Sequence, residues 1–202
     1  SDNTRELVAG WIKENKIPIR YHYQENQGMH GAHNTAYRLI TTELNTCIDS
    51  DDYMPDDAVE KIVTFWKKYG SNEVAGIIGL DADFQGNIIG TTFTEKQTTL
   101  GNFYAQDGKG DKKMVYRTEI INKYPEYPLF KGEKYVSLGY KYELIDQDYS
   151  LLTLNEVLVK VEYRPDGSSM NMFRQYIKNP QGFAFIRKSS MQLAPTVKRR
   201  FM

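Results

Sequence analysis

A single cysteine, Cys47, leaves no partner for an internal disulfide, so the core has to hold without a covalent staple and the chain fits a reducing compartment. Seven prolines in 202 residues exclude a collagen-like or proline-rich chain. The longest charge-free apolar run, Val74 to Leu80, falls far short of the roughly 20 residues that span a bilayer. The opening Ser1-Asp2-Asn3-Thr4 lacks the basic and then apolar pattern of a secretory signal, and none is expected. Net charge is absent too, since 26 acids balance 26 bases, which removes the basis for binding nucleic acid through overall charge. What remains is a globular composition, 40% hydrophobic and 26% charged, sized for one good core or part of a larger one. No repeat or linker interrupts it, and residues 1–202 read as one domain.

Charge is distributed less evenly than the sum suggests. Asp49 to Glu60 holds six acids and no base, a place for a cation. Arg187 to Met202 holds five bases and no acid, suited to phosphate, an acidic membrane surface or plain water.

Periodicity supplies the elements. Asn3 and Glu6 form a possible capping box ahead of a helix whose Leu7, Val8, Trp11 and Ile12 share a face. After Pro18, alternating Ile19, Tyr21 and Tyr23 read as a half-buried strand. A helix is expected from Gly31, a short buried strand at Thr46-Cys47-Ile48, and a third helix with Pro55 at its first position. Val74 to Leu80 is a strand, Asp81 to Gly110 a strand or hairpin plus loop, Lys112 to Arg117 a strand, and Thr118 to Lys123 a short helix. Glu133 to Asp146 reads as helix, Val157 to Tyr163 as strand, Arg164 to Gly167 as turn, and Met170 to Ile177 and Gly182 to Met191 as helices. This alternation is the rhythm of an α/β sheet with parallel neighbours.

A strand that ends in carboxylates just before a helix delivers them to the crevice where open α/β sheets bind ligands. Asp49 and Asp51 can converge on one hard cation, Mg²⁺ or Mn²⁺, of the kind that also takes substrate phosphates. The alternative is that Asp51 and Asp52 are turn and cap residues. A calcium loop counted from Asp49 places Asp51, Asp57 and Glu60 correctly, but the sixth position needs glycine for its sharp turn and holds Met54.

The run CIDSDDYMPDDAVEKIV resembles the DXD region of family-2 glycosyltransferases of the GT-A fold. Upstream, QENQGMHGAHNTAYRL is similar to the N-x-G-x-x-x-A-x-N segment of that family, and SDNTRELVAGWIKE to the stretch just after its second strand. FKGEKYVSLGYKYELID and VEYRPDGSSMN resemble its acceptor-side and late-strand segments. Five pieces in order cover nearly the whole chain. The resemblance implies a GT-A-like fold, a mixed and mostly parallel sheet flanked by helices and lacking the first βαβ unit. It implies an inverting transfer of sugar from a nucleotide-diphospho-sugar donor to a glycan or lipid-linked acceptor hydroxyl. The setting implied is cytoplasmic, at the inner face of a membrane.

By the same resemblance, Asp51 holds Mn²⁺ or Mg²⁺, Asp49 binds donor ribose, sugar or that metal, and Asp52 supports them, while Asn26, Gly28, His30 and Asn34 lie on the donor side. The family has an acidic pair at the start of its acceptor helix; Glu133 followed by Lys134 stands there in this chain, making Glu133 the candidate base. Locally, Glu133 reads equally well as a helix-terminal charge. His30 and His33 are polar contacts near a diphosphate or surface histidines, and a charge there would depend on pH. Tyr135, Tyr140 and Tyr142 are candidates for stacking on sugar or for core filler, and Asp166 to Ser169 for a closing loop or a plain turn. The family has two strands and a helix ahead of Asn3, so the chain reads as a truncated piece or a gene remnant. Weak donor binding and low turnover are then expected, and the Ile19 strand needs new partners through rearrangement, dimerisation or strand exchange. A non-catalytic carbohydrate- or partner-binding module on the same scaffold is the rival reading.

Overall fold

A computed structural model describes residues 3–162 and 172–193. Among the described residues five strands form one mixed sheet: β1 (Leu44–Asn45), β2 (Val74–Ala82), β3 (Gln97–Thr98), β4 (Lys112–Arg117) and β5 (Ser150–Lys160), in the order β1-β4-β2-β5-β3. The described helices are α1 (Thr4–Glu14), α2 (Gly28–Leu39), α3 (Ala58–Tyr69), α4 (Leu100–Ala105), α5 (Thr118–Lys123), α6 (Gly139–Ile145), α7 (Met172–Lys178) and α8 (Pro180–Leu193). The expected turn at Arg164–Gly167 and the loop at Asp166–Ser169 lie outside the described residues.

β2 is the axis of the sheet. All nine of its residues are buried, as a strand covered on both faces requires. Alternation sends neighbouring side chains to opposite faces. Ile78 and Leu80 therefore join Phe103, Tyr116, Ile121, Ile145 and Leu151 in one core. Ile77 joins Ala58, Ile62, Val115 and Leu158 in a second core beneath α3.

The mixed sheet agrees with expectation, but its strand directions do not. β2 and β5 run parallel, whereas β1–β4, β2–β4 and β3–β5 are antiparallel. The chain leaves β2 through irregular structure, β3 and the short α4, with no long crossover helix, and can re-enter the sheet reversed as β4. Periodicity identifies a strand without saying which way it points.

Other boundaries moved for identifiable reasons. Ile19, Tyr21 and Tyr23 form no strand, because no described strand lies beside them to complete a hydrogen-bond ladder. The strand expected at Thr46–Ile48 is the earlier pair Leu44–Asn45. α2 begins at Gly28, three residues ahead of expectation. Pro55 precedes α3 in a turn whose carbonyl accepts from Ala58 N at 2.9 Å. β5 starts well before Val157 and ends at Lys160. The helix expected over Glu133–Asp146 is confined to α6, because the backbone N–H groups of Lys134 and Val136 donate to side chains (Asn179 Oδ1 at 2.7 Å, His30 Nδ1 at 3.3 Å). α1 is helical as expected, yet Asn3 makes no side-chain capping bond and no α1 residue is buried.

Leu158 is fully buried in the α3-side core. Leu158→Ala is expected to lower unfolding free energy by about 2–5 kcal/mol, read as a shifted urea midpoint with unchanged slope.

Candidate functional site

The acidic segment is a turn fastened at both ends. β1 pairs with β4 through only two residues, and side chains continue the attachment where the ladder stops. Asn45 Nδ2 donates to Tyr116 O and Thr118 Oγ1, each at 3.1 Å, and Thr46 Oγ1 donates to Met114 O at 2.8 Å. Lys113 Nζ then donates to Cys47 O at 2.9 Å. The chain turns as Asp52 N donates to Asp49 O at 3.1 Å. Beyond it, Tyr53 and Lys160 exchange backbone bonds of 3.1 and 2.8 Å, which ties the turn to the end of β5. Asp49 and Asp51 are exposed and Asp52 is half-buried.

Carboxylates gather around this turn. Burial, and then the charge of Asp49, push the Asp52 carboxyl above its ordinary range. Asp81, 4% exposed on β2, is raised by burial from its ordinary 3.8 to about 6, while Lys113 pulls it down and Asp52 adds to the rise. Its Oδ1 is buried without a hydrogen-bond partner among the described residues. Lys113 thus acts on both Asp52 and Asp81, and Lys112 adds to its pull on Asp81. A lysine pair opening the Lys112–Arg117 strand and an aspartate following the apolar Val74 run were the sequence signals for Lys113 and Asp81.

α2 joins the turn to the segment at Glu133. Asn26 Oδ1 accepts from Gly28 N at 2.9 Å, which opens the helix. Gly28 has φ +79°, and a Cβ there would sit 2.1 Å from Lys134 O, so its role is close backbone approach. His30 is buried, its Nδ1 accepting from Val136 N. Burial lowers the pKa of His30. It lowers that of His33 as well, against an opposing pull from Asp49. The two are interior groups, not the surface histidines that the sequence left open. His33 Nδ1 lies 3.1 Å from Tyr37 Oη, and Asn34 grips the backbone of Tyr127 with bonds of 2.8 and 2.9 Å. Beside them, Lys141 is 2% exposed, donates to Ile121 O at 3.2 Å and stands over the Tyr37 and Tyr127 rings. Burial brings its pKa down to about 8.

Glu133 lies at a helix terminus, but that of α8. Its Oε1 accepts from Gln181 N at 2.9 Å and its Oε2 from Gly182 N at 2.8 Å. Burial raises the Glu133 pKa, and these backbone donors outweigh it, so the carboxyl ends below its ordinary range. A carboxylate engaged at both oxygens is a poor proton acceptor, and the geometry favours the structural alternative for this residue. The candidate tyrosines pack on other rings, which favours the filler alternative: Tyr135 stacks on Phe183, Tyr142 on Tyr116, and Tyr140 meets Phe185 edge-on.

A resident metal would draw on Asp49 and Asp51. Among the described residues no three His, Cys, Asp or Glu side chains gather as a complete metal site. Mg²⁺-type ions take one or two carboxylates and leave other positions to water and substrate phosphates, and two carboxylates on one pinned turn fit that sharing. Two surface concavities of the described residues, one of about 430 Å³ lined by Lys61, Phe65 and Leu154 and one of about 200 Å³ lined by Thr91, Phe103 and Thr153, are formed by residues other than Asp49, Asp51 and Asp52.

The sequence profile of glycosyl transferase family 2 matches residues 1–120. The chain belongs to that family. A sequence search of curated proteins found no significant match. The fold of this family-2 chain is similar to that of S. aureus TarS residues 1–349 in complex with UDP-GlcNAc, with a TM-score of 0.65 and 14% identity over 99% of this chain and 57% of that one. It is also similar to the mannosyltransferase PcManGT from Pyrobaculum calidifontis in complex with GDP-Man and Mn²⁺, with a TM-score of 0.58 and 17% identity over 92% of this chain and 52% of that one. The likeness shows the GT-A fold, as the sequence led one to expect. This family-2 chain spans somewhat over half the length of those chains.

Glu133→Ala removes the cap of α8 and is expected to cost about 1 kcal/mol of stability, measured as a lowered thermal midpoint. Asp81 carries a pH signature. A carboxyl whose pKa is raised on folding keeps its proton longer in the folded chain, so stability falls as pH climbs from 3.8 to about 6 and then levels. Asp81→Asn is expected to flatten that slope, leaving the smaller part that Asp52 contributes, and to stabilise the chain at pH 7 by on the order of 1–3 kcal/mol, read from urea midpoints across the range.

Proposed function

We propose that the chain acts, as a single glycosyltransferase-like domain, in transferring a sugar from a nucleotide-diphospho-sugar to a glycan or lipid-linked hydroxyl on the cytoplasmic side of a membrane. The observation that carries this reading is the pinned acidic turn at the end of the sheet in a family-2 chain, with His33 of α2 within reach of the Asp49 charge. Asp51 and Asp49 would hold Mn²⁺ or Mg²⁺, with Asp52 in support. That ion, when bound, supplies a Lewis acid that neutralises charge on the departing diphosphate. UDP-GlcNAc in TarS and GDP-Man with Mn²⁺ in PcManGT are the ligands of the similar structures, and they set the ligand class proposed here.

The chain's own residues have simpler tasks. Asn26 and Gly28 shape the entry of α2 toward the donor side. His30, His33 and Asn34 hold α2 between the acidic turn and the 133–136 segment, and burial favours neutral imidazoles, so positive charge for a diphosphate falls to Lys113 and the metal. Inversion requires a base in line with the acceptor hydroxyl. Glu133 is the candidate from sequence, and it could serve only by releasing the α8 amide groups.

That engagement favours a second reading, a carbohydrate- or partner-binding module that retains the scaffold without the chemistry. Titration calorimetry with UDP and GDP tests the first reading. Binding is expected in Mn²⁺, lost in EDTA, and weakened at least about tenfold by Asp51→Ala, as removal of a metal-binding carboxylate implies. Binding indifferent to metal and to Asp51→Ala would remove the donor-site assignment. That outcome, with the fold intact, would select the module.

A further inference from the structure

The carboxy-terminal helices carry a surface that the sugar-transfer reading does not use. α7 presents Phe173 at 79% exposure and Ile177 at 68% exposure, one helical turn apart, with exposed Tyr176 beside them. Tyr176 is anchored from behind, its ring centroid 4.1 Å from that of Phe183 on α8. Arg174 and Lys178, also one turn apart, are exposed on the adjoining strip of the same helix. Neither forms an ion pair among the described residues. Across residues 172–193 there are four bases, Arg174, Lys178, Arg187 and Lys188, and no acid. Two acids meet this unit from other elements, Glu133 spent on the α8 amide groups and Glu143 accepting from Ser190, so four bases against two acids leave a local excess of positive charge beside the exposed apolar side chains.

We infer that α7, with the basic surface of α8, docks on an anionic lipid surface, with Phe173 and Ile177 entering the interfacial layer and Arg174 and Lys178 meeting lipid phosphates. The chemistry selects the occupant. Two exposed apolar side chains bury too little area to hold a membrane alone, and basic residues near an anionic leaflet add the missing attraction. The apolar tips and the bases act together, as an interfacial helix requires. A protein partner would favour a broader apolar core depleted of lysine. The exposed apolar residues of α1, Leu7, Trp11 and Ile12, lack this charge: Thr4–Glu14 holds two bases, Arg5 and Lys13, and two acids, Glu6 and Glu14. The docking does not depend on sugar transfer. Its place beside the 133–136 segment follows from Lys134 N donating to Asn179 Oδ1 at the junction of α7 and α8.

Sedimentation of the whole chain with vesicles of phosphatidylcholine alone, or with phosphatidylglycerol mixed in, tests the inference. Binding is expected only to the anionic vesicles and should weaken as salt rises. Phe173→Asp combined with Ile177→Asp should abolish it. Arg174→Ala combined with Lys178→Ala should weaken it on the order of tenfold or more. All four side chains are exposed, so circular dichroism and the thermal midpoint should stay unchanged, and Leu7→Asp should leave vesicle binding intact. No binding to either vesicle, equal binding to both, or binding unaffected by both α7 double variants would overturn the inference. So would self-association of the chain that is lost with Phe173→Asp and needs no lipid.

Discussion

The acidic turn depends on being held at both ends by groups that are not part of it. Asp49, Asp51 and Asp52 repel one another, and a free loop would relax that repulsion by spreading. Here Asn45, Thr46 and Lys113 fasten the incoming chain to β4, and the paired backbones of Tyr53 and Lys160 fasten the outgoing chain to β5. The central strand β2 holds β4 and β5 at a fixed separation, since it is buried throughout and paired on both sides. Like charges are kept together by a scaffold whose stability comes from the two apolar cores. Asp81 and Lys113 share the cost: one carboxyl takes up a proton more readily, and one ammonium is spread over several neighbours.

α2 is the second organising element. Its side chains reach toward the acidic turn through His33 and toward the 133–136 segment through Gly28 and His30, so a shift of the helix would disturb both. The residues picked out on it and just ahead of it by family resemblance have evident structural tasks: a turn at Asn26, close backbone contact at Gly28, and a clamp on Tyr127 by Asn34. Such tasks are compatible with a role beside a ligand, because a site built on a rigid helix must first have the helix placed.

Legibility in the sequence varied with the range of the forces involved. The extents of β4 and α5 were read without change, because apolar pattern and local propensity decide short elements flanked by clear boundaries. The turn at Asp49 was legible from its carboxylates, but its attachments were not, since Lys113 and Lys160 are remote in sequence and meet it only after the sheet forms. The segment after Glu133 has helical periodicity, yet His30 and Asn179 take its backbone donors first. α1 shows the converse: an amphipathic pattern sufficed for a helix but supplied nothing to cover its face.

By itself, the sequence determined element types, the two-faced burial of the Val74 run, the position of the carboxylate cluster and membership of the family, because each rests on short-range pattern or on residue identity. Tertiary structure alone decided the strand directions, the engagement of Glu133 with α8, the burial of His30 and His33, and the gathering of Asp81 and Lys113 at one end of the sheet. Those outcomes depend on which distant groups compete for the same donor, acceptor or charge, and that competition is settled only when the chain has closed on itself.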